Sequence, residues 1–236
     1  QRLQFIVRYS VFEEKRTENI DLEKLENIAT IKKEINIDYP FAKHNKSKES
    51  IAIVNDDNFC FLYHDNAKFL EEVFSKVFYV NSINDEPIPE VDLVYIPGGY
   101  IETNSAYEKI KDSHKFKESL LEHAKSRAVY AECAGLIFLG NSVDEKKMLK
   151  LLDLEFTLTS RPTRLGYYNN DFDITGHAFH YTKLKNETNG VYKLYKDDKS
   201  TGIYAAFQKD NIFGTYLHTM FRNNFNKIKQ FIKLKK

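Results

Sequence analysis

An α/β fold, with helices layered on a central sheet, is the architecture that the sequence predicts, and three observations support it. Short apolar runs alternate with helical patterns from residue 51 onward, strand-like runs rich in Tyr, Phe and Ile fill the second half, and 42% of the 236 residues are hydrophobic. Such alternation is typical of helices packed on a sheet. A chain of this length buries one sizeable core and leaves room for an appendage.

Charge and cysteine content exclude several classes of protein. The formal net charge is +1, from 35 Lys and Arg against 34 Asp and Glu, so no global field draws the chain to nucleic acid or to a membrane surface. Cys60 and Cys133 are the two cysteines, and their spacing fits neither a disulfide framework nor a zinc site. No apolar run is long enough to span a bilayer, and no signal-peptide pattern is present. We therefore expect a cytoplasmic protein with no metal site, no nucleic-acid partner and no membrane partner.

The chain divides near residue 47. Residues 1–46 are polar and charge-dense, with a helical pattern that starts at Asp21, a predicted N-cap, and continues to Ile31. The lysine-rich stretch at residues 43–48 is predicted to be a linker. Because the chain starts at Gln1 rather than Met, we expect it to be a piece of a longer polypeptide. The prediction is a helical tail with its linker over 1–46 and the main domain over 47–236.

Periodicity predicts the elements of the main domain in order. Buried strands are predicted at residues 51–54, 77–80, 92–96 and 128–131. Helices are predicted at residues 65–75, with Asp65 as N-cap, at 114–126 and at 136–140. Further strands, some of them antiparallel, are predicted at residues 156–159, 177–182, 191–195, 203–207 and 211–218. An amphipathic helix after Arg222 ends the chain.

Cys133 lies at the most informative junction of the sequence. It follows a buried strand, and the small residues Ala134 and Gly135 lead directly into a helix. This is the pattern of a nucleophile elbow, a sharp turn that lifts the thiol out of the sheet. The helix N-terminus favours the thiolate, and the next backbone N–H is free to meet an oxyanion. The alternative is a buried and inert cysteine.

Two further strand ends supply the other groups that a nucleophilic thiol needs. His218 follows residues 213–217, and if that strand runs parallel to the one before Cys133, its imidazole emerges at the same sheet edge and acts as the base. The alternative is a histidine that only caps its strand. Gly98 and Gly99 follow the third predicted strand, where a Gly-Gly pair frees backbone N–H groups to point into a cleft. The alternative there is an ordinary turn.

Several motifs occur in order along the chain. They read NFCFLY, YIPGGY, VYAECAGL, RLGY, GHAFHY and YLH, at residues 58–63, 95–100, 129–136, 164–167, 176–181 and 216–218. This order resembles the cobyrinic acid a,c-diamide synthases over about residues 50 to 222, and it is far more specific than any single motif. The resemblance implies the flavodoxin-like fold of class I glutamine amidotransferases, with a mixed, mostly parallel central sheet and helices on both faces.

The resemblance also implies a reaction. In that family the domain hydrolyses glutamine through a γ-glutamyl thioester, and an N-terminal synthetase domain uses ATP and Mg²⁺ to activate corrin-ring carboxylates for amidation. Glutamine is then the substrate, and a tetrapyrrole carboxylate is the acceptor, bound through the synthetase domain. We expect no cofactor in this chain, which contains no GxxxxGK[ST] phosphate loop. Residues 1–46 resemble the helical end of the synthetase domain, and a homodimer is an assembly that the sequence leaves open.

Each matching residue takes a role from the resemblance. Cys133 is the nucleophile, His218 is the general base, and the backbone N–H groups of Gly99 and Ala134 form the oxyanion hole. The residues implied in substrate binding are Gly98, Arg164 and His180. Arg164 is expected to place glutamine or to anchor a substrate carboxylate, although an arginine in this setting is about as often a surface ion-pair partner.

Three side chains outside this set have plainer interpretations. His177 and His180 are three residues apart on a predicted strand, so they face opposite sides and make a poor metal pair, and His180 is the one expected to face the cleft. Cys60 lies between two phenylalanines and is expected to pack in the core.

The chain departs from the family pattern at Ala134, where the family has glycine, and at Ala178, where it has glutamate. Many related amidotransferases carry a glutamate two residues after the base, where this chain has Met220, so the residue that orients His218 is not identified. Two alternatives stay open. One is an amidotransferase-like docking domain with an eroded site. The other is a cysteine hydrolase that does not use glutamine, although such proteins usually have histidine directly after the cysteine.

Overall fold

The computed structural model describes residues 21–29, 44–186, 188–196 and 202–234. The chain divides into two units, Gln1–Lys43 and His44–Lys236. The assignment of residues 1–46 to an upstream synthetase domain stays a prediction.

Helix α1, Leu22–Ala29, is the main described element of the first unit. Asp21 begins it as predicted, because its side chain accepts a hydrogen bond from the Lys24 amide at 2.9 Å. This bond satisfies one of the free N–H groups of the first turn. The predicted continuation to Ile31 lies outside the described residues.

A ten-stranded sheet forms the centre of the second unit, which also contains a four-stranded sheet. The strands are β1 (Ser50–Val54), β2 (Lys76–Val80), β3 (Leu93–Ile96), β4 (Ala128–Glu132), β5 (Ser142–Val143), β6 (Lys146–Lys147), β7 (Glu155–Leu158), β8 (Arg164–Asn170), β9 (Thr175–His180), β10 (Thr182–Leu184), β11 (Tyr192–Tyr195), β12 (Ile203–Lys209), β13 (Ile212–Thr215) and β14 (His218–Thr219). The helices are α2 (His64–Val73), α3 (Asn104–Ile110), α4 (His114–Ala124), α5 (Ala134–Leu139) and α6 (Phe221–Ile228).

The large sheet has the strand order β14-β9-β8-β11-β12-β13-β4-β3-β1-β2. The half from β13 to β2 is parallel, and the pairings in the other half are antiparallel. The predicted mixed α/β sheet is confirmed, with an antiparallel part larger than a mostly parallel sheet implies. Strands β3 and β4 are buried along their whole length, as expected for parallel strands covered on both faces.

Helices pack on both faces of the parallel half. Phe213 of β13 stacks on Tyr130 of β4 with ring centroids 5.7 Å apart, and Phe221 of α6 contacts the same tyrosine ring at 5.8 Å. Gly214 faces the opposite side of β13, where Leu136 of α5 lies against it. The predicted two-sided covering is therefore confirmed. Within the described ranges, no helix is both long and apolar enough to span a bilayer.

The predicted strand at 211–218 is interrupted before His218. Strand β13 ends at Thr215, whose hydroxyl oxygen accepts a hydrogen bond from the Leu217 amide at 3.0 Å and so withdraws that N–H from the ladder. His218 then begins β14, which pairs antiparallel with β9 in the register His218↔His177. The prediction of one continuous strand is wrong, because a side-chain hydroxyl replaces a backbone partner at this point.

The predicted strand at 177–182 also divides. The Tyr181 carbonyl accepts a hydrogen bond from the Thr159 amide at 2.7 Å, and β10 continues into the small sheet beside β7. Strand β8, which the sequence did not predict, pairs with β9 over its first six residues. The two strands form the antiparallel hairpin that borders the candidate site.

Helix α2 begins one residue before the predicted position. Tyr63 is its N-cap and makes no side-chain hydrogen bond to the helix. Asp65 lies in the first turn and instead accepts a hydrogen bond from Arg222 Nε at 3.0 Å. The prediction of Asp65 as N-cap is therefore wrong, because this carboxylate ties α2 to α6.

Candidate active site

Cys133 forms a strained turn between β4 and α5. Its backbone has φ 47° and ψ −102°, and its amide donates a hydrogen bond to the Thr215 carbonyl at 2.7 Å. A non-glycine residue with positive φ is uncommon, and the surrounding structure must offset its strain. The turn has the geometry expected of a nucleophile elbow.

The two small residues after Cys133 differ in the room available to them. A Cβ on Gly135 would lie 2.3 Å from the Ile96 carbonyl oxygen, so only glycine lets α5 approach β3 this closely. Ala134 keeps its methyl group fully buried in the first turn of α5. The fold therefore requires the glycine at 135 and accommodates the alanine at 134.

Three neighbouring parallel strands, β3, β4 and β13, end at this point of the sheet. Ile96 is opposite Ala131, and Glu132 is opposite Thr215. Residues that follow parallel strands emerge at one edge of the sheet. Gly98 and Cys133 both follow strands that end at this edge, and His218 lies against Gly98.

His218 is buried among glycine and aromatic rings. A Cβ on Gly98 would lie 2.1 Å from His218 Cε1, so the imidazole rests directly on that glycine. Phe61 contacts the ring at 5.9 Å between centroids, and His177 lies at 6.4 Å. Burial, and secondarily the charge of His177, lowers the pKa of His218 to about 4. The imidazole is neutral at physiological pH, which is the state that accepts a proton.

The Cys133 thiol is almost fully covered, with 3% of the residue exposed. It donates a weak hydrogen bond to the Phe179 carbonyl, with 3.9 Å between sulfur and oxygen. Burial, and then the Glu102 carboxylate, raises the pKa of the thiol, whereas the Ala134 amide lowers it. The thiol is therefore protonated at neutral pH in this arrangement and needs a base to become a nucleophile.

Glu132, the residue before the elbow, carries a fully buried carboxylate that the sequence reasoning missed. Its oxygens accept hydrogen bonds from Tyr95 Oη at 2.9 Å, Tyr130 Oη at 3.0 Å and the Thr219 amide at 3.3 Å. Its Oε2 lies 3.9 Å from His218 Nδ1. Burial raises the pKa of Glu132 to about 8, against the lowering by these hydrogen bonds. An ionisable residue on a fully buried strand beside the candidate nucleophile was the signal that could have identified it.

Asn66 of α2 is a second residue that the sequence reasoning missed. Its Nδ2 donates a hydrogen bond to the Thr219 carbonyl, and its Oδ1 accepts one from the Phe221 amide, both at 2.8 Å. The side chain is fully buried. Asn66 therefore holds the junction between β14 and α6, directly after His218.

Arg164 and His180 form a buried pair on the hairpin that borders the candidate site. Arg164 Nη1 donates a hydrogen bond to His180 Nε2 at 3.1 Å, so Nδ1 carries the other proton and donates it to the Thr182 carbonyl at 2.8 Å. The imidazole stacks on Tyr216 with 3.8 Å between ring centroids. Burial, and then Arg164, lowers the pKa of His180 to about 3. Both ring nitrogens of His180 are thus occupied by protein groups.

A cavity of about 870 Å³ opens beside Arg164 and Tyr216. Its described lining contains no carboxylate side chain but several lysines, namely Lys183, Lys185, Lys193 and Lys196. Arg164 itself is 8% exposed, and burial lowers the pKa of its guanidinium. Among the described residues no carboxylate forms an ion pair with it. Cys133 does not line this cavity.

Gly99 and Cys60 lie where the segment after β3 crosses the segment after β1, next to the bridge between Phe61 and Gly98. A Cβ on Gly99 would lie 1.9 Å from the Asn58 carbonyl oxygen, so glycine is required there by a close backbone approach. The role of its N–H as an oxyanion donor stays a prediction. Cys60 is exposed, so the prediction that it packs in the core is wrong; its neighbour Phe59 occupies the buried position instead.

Comparison with known proteins decides the family of this arrangement. Residues 50–225 match the model of the CobB/CobQ-like glutamine amidotransferase domain. The chain belongs to this family. The cobyrinate a,c-diamide synthase of Fusobacterium nucleatum is 32% identical over 231 residues, which cover 84% of this chain and 52% of that protein. That of Methanosphaera stadtmanae is 31% identical over 221 residues, covering 86% and 48%. The amidotransferase chain thus spans about half the length of the curated relatives it matches.

Solved structures agree on the fold. PurLQS from Thermotoga maritima superposes with a TM-score of 0.57 at 16% identity, covering 79% of this chain and all of the matched chain. A second structure, described as a glutamine amidotransferase, has a TM-score of 0.53 at 12% identity over 77% of this chain and 96% of its own. The amidotransferase fold predicted from the ordered motifs is therefore confirmed.

Proposed function

We propose that this chain is the glutaminase portion of a glutamine-dependent amidoligase, with Cys133 as nucleophile and His218 as base. The observation that carries the proposal is the elbow at Cys133, with φ 47°, on the strand next to the one that leads to His218. Membership of the CobB/CobQ-like glutamine amidotransferase family supports glutamine as the substrate.

The proposed chemistry is acyl transfer through the thiol. His218 takes the thiol proton, the thiolate adds to the γ-carbonyl carbon of glutamine, and the imidazolium returns the proton to the nitrogen that leaves as ammonia. Water, deprotonated by the same imidazole, then cleaves the thioester to glutamate and restores the thiol. The N–H groups of Ala134 and Gly99 stabilise the oxyanion of both additions. Gly98 supports the reaction because its lack of a side chain lets the imidazole of His218 pack directly against it.

Arg164 anchors a substrate carboxylate in this proposal. Its guanidinium is buried, and the described residues offer it a histidine but no carboxylate counterion. A buried charge without a counterion is unfavourable, so an anionic group of the substrate stabilises it. His180, whose nitrogens are both engaged within the protein, acts by holding Arg164 in place.

The acceptor of the ammonia is proposed from the relatives. Proteins named cobyrinate a,c-diamide synthase support a tetrapyrrole carboxylate that is amidated on a synthetase portion. We assign ATP and Mg²⁺ to that portion, because the resemblance to the cobyrinic acid a,c-diamide synthases implies it and this chain has no GxxxxGK[ST] phosphate loop. No step derived for this chain passes through either cofactor.

Glutamate release from glutamine by the intact protein tests the proposal. Cys133→Ser is expected to lower the rate by about 10³-fold or more, because the hydroxyl is a far weaker nucleophile beside the same base. Cys60→Ser is the matched control, since Cys60 is exposed and belongs to no part of the mechanism, and it is expected to keep the wild-type rate. Equal, measurable rates in wild type and Cys133→Ser would reject Cys133 as the nucleophile, and no glutamate release by the wild type would reject the glutaminase and favour a docking domain.

A further inference from the structure

We propose that Glu132 is the positioning residue of His218: its carboxylate accepts the Nδ1–H hydrogen bond and so leaves Nε2 free to take the Cys133 proton. The inference rests on the proposed function. It names a carboxylate that orients His218, a role that Met220, two residues after the base, cannot fill. The orienting carboxylate is then the residue directly before the nucleophile, Glu132, rather than a residue that follows the base.

The geometry that carries this inference is an unpartnered ring nitrogen facing a buried carboxylate. Within the described part of the chain, His218 Nδ1 is buried and has no hydrogen-bond partner. The nearest carboxylate oxygen is Glu132 Oε2 at 3.9 Å. Both residues are covered from solvent, with His218 4% and Glu132 0% exposed. A buried polar atom without a partner is strongly disfavoured, so an approach of about 1 Å, in which Nδ1–H donates to the carboxylate, is favourable.

Backbone contacts hold the Glu132 carboxylate next to the chain segment that contains His218. Glu132 is the residue opposite Thr215 in the parallel pairing of β4 and β13, and the Thr219 amide donates a hydrogen bond to Glu132 Oε1 at 3.3 Å. Asn66 fixes the carbonyl of the same threonine. The carboxylate that faces the His218 ring therefore also accepts a hydrogen bond from the backbone of the next residue, Thr219.

The other contacts of Glu132 favour an ionised acceptor. Two phenol hydroxyls and one amide donate to the carboxylate, and donated hydrogen bonds stabilise the charged form. A carboxylate offers about four lone-pair directions, so these three donors leave one for Nδ1–H. The contacts hold the carboxylate at a fixed position, which a residue that orients a base needs.

The proton inventory of the proposed step is balanced. The Cys133 proton moves to His218 Nε2, so one thiolate and one imidazolium form together and the net charge of the site does not change. At a pH above its pKa of about 8, Glu132 stays ionised through this step and stabilises the imidazolium through Nδ1–H. In apo structures such contacts are often long and tighten when substrate binds, which agrees with the resting distance of 3.9 Å.

The surroundings of the pair predict a pH signature. The titratable groups that face Glu132 from the neighbouring elements are Tyr63, Tyr95, Tyr130, Cys133, Tyr192 and His218. The charge of His177 lowers the pKa of His218, and the charge of His218 in turn lowers the pKa of His180. Burial raises the pKa of Glu132 to about 8, so its ionisation, rather than that of the imidazole, is expected to control the rise of activity with pH.

Glu132→Gln in the intact protein tests the role in catalysis. The glutaminase kcat is expected to fall by about 10²-fold or more with KM within about threefold, because positioning acts on the transition state rather than on glutamine binding. The alkaline rise of kcat/KM is expected to disappear. Wild-type kcat with an unchanged pH profile in this variant would overturn the proposal.

Tyr95→Phe is the matched control, because it removes a donor to the same carboxylate and keeps the acid. Its kcat at high pH is expected to fall by clearly less than in Glu132→Gln, because Tyr130 and the Thr219 amide still hold the carboxylate, while the activity rise moves to higher pH as one bond to the ionised form is lost. If Tyr95→Phe lowers kcat as much as Glu132→Gln does, Glu132 serves only a structural hydrogen-bond network and the proposal fails.

The protonated nitrogen of His218 provides a readout that needs neither turnover nor a variant. Nitrogen NMR of histidine-labelled intact protein at about pH 9, above the pKa of Glu132, is expected to show the tautomer with Nδ1 protonated and Nε2 bare. The opposite tautomer would overturn the Glu132 proposal and leave the glutaminase standing. The expected tautomer in a protein that hydrolyses no glutamine would remove the proposed function and leave the Glu132 contact intact.

Discussion

Gly98→Ala moves the proposed base without altering it, and the displacement can be worked out from the structure. A Cβ at this position would lie 2.1 Å from His218 Cε1, 2.9 Å from Nδ1 and 3.2 Å from Nε2. Non-bonded carbon atoms sit about 3.5 to 4.0 Å apart, so the imidazole must retreat by about 1.5 Å. A misplacement of about 1 Å in a catalytic group lowers the rate by about 10²-fold, and we expect a fall in kcat of at least that size.

The stability of the Gly98→Ala variant separates displacement from unfolding. The atoms in conflict belong to a side chain that can rotate, so the free energy of unfolding is expected to fall by only about 1 to 2 kcal/mol. Gly99→Ala is the contrasting variant, because its Cβ would lie 1.9 Å from the backbone oxygen of Asn58 and the chain itself must move. Glutamate release and thermal unfolding are measured on both. A folded Gly98→Ala protein with wild-type kcat would refute the placement of His218 as base.

Three further predictions concern stability, pH and substrate binding. Asn66→Ala removes two buried hydrogen bonds at the junction of β14 and α6 and is expected to lower the free energy of unfolding by about 2 to 4 kcal/mol, as measured by denaturant unfolding. Thermal unfolding is expected to show greatest stability near pH 6.5. The pKa values of His218 and His180 lie at about 4 and about 3 in the folded chain, below the usual 6.5 or so of the unfolded chain, so stability is lost as the pH falls from that value. The pKa of Glu132 is raised to about 8, so its contribution is lost as the pH rises toward that value. Arg164→Lys is expected to raise KM for glutamine by about tenfold or more, in a glutaminase assay, because lysine loses the planar geometry that matches a carboxylate.

Each of these predictions has a contradicting result and a control. Wild-type stability in Asn66→Ala would show that water or a rearranged loop satisfies both backbone groups. Loss of stability above about pH 7 that persists in Glu132→Gln would assign the alkaline limb to another group. Arg161→Lys is the control for Arg164→Lys, since Arg161 is exposed, and an unchanged KM in Arg164→Lys itself would place the substrate carboxylate elsewhere.

The sequence predicted that Cys133 and His218 lie at one edge of the sheet, because neighbouring parallel strands end at the same edge. Cys133 and His218 were predicted to lie at one sheet edge on the condition that their strands run parallel, and β4 and β13 are parallel and also adjacent. The error in the strand at 211–218 does not change the edge at which β13 ends, because the strand stops at Thr215, opposite Glu132 of β4. Local pattern therefore suffices to place the two strand ends at one edge of the sheet, and the catalytic roles of Cys133 and His218 stay predictions.

Glu132 and Asn66 show what local pattern does not reach. Glu132 reads as one more residue of a buried strand, and its approach to His218 depends on contacts made 86 positions further along the chain. Asn66 pairs with backbone groups more than 150 residues away. The extent of the antiparallel half was likewise not predictable, since Tyr- and Phe-rich strands fit several partners and their order is set by packing.

Covalent labelling of the cysteine tests the central claim most directly. Intact protein is incubated with an electrophilic glutamine analogue that carries a reactive ketone in place of the side-chain amide, and the adduct is located by mass spectrometry of its peptides. We predict one adduct on Cys133, slowed by added glutamine and lost in His218→Asn, despite the greater exposure of Cys60. Labelling of Cys60 in preference to Cys133, or labelling of Cys133 that neither glutamine nor His218→Asn affects, would contradict the assignment of Cys133 as the glutamine-directed nucleophile.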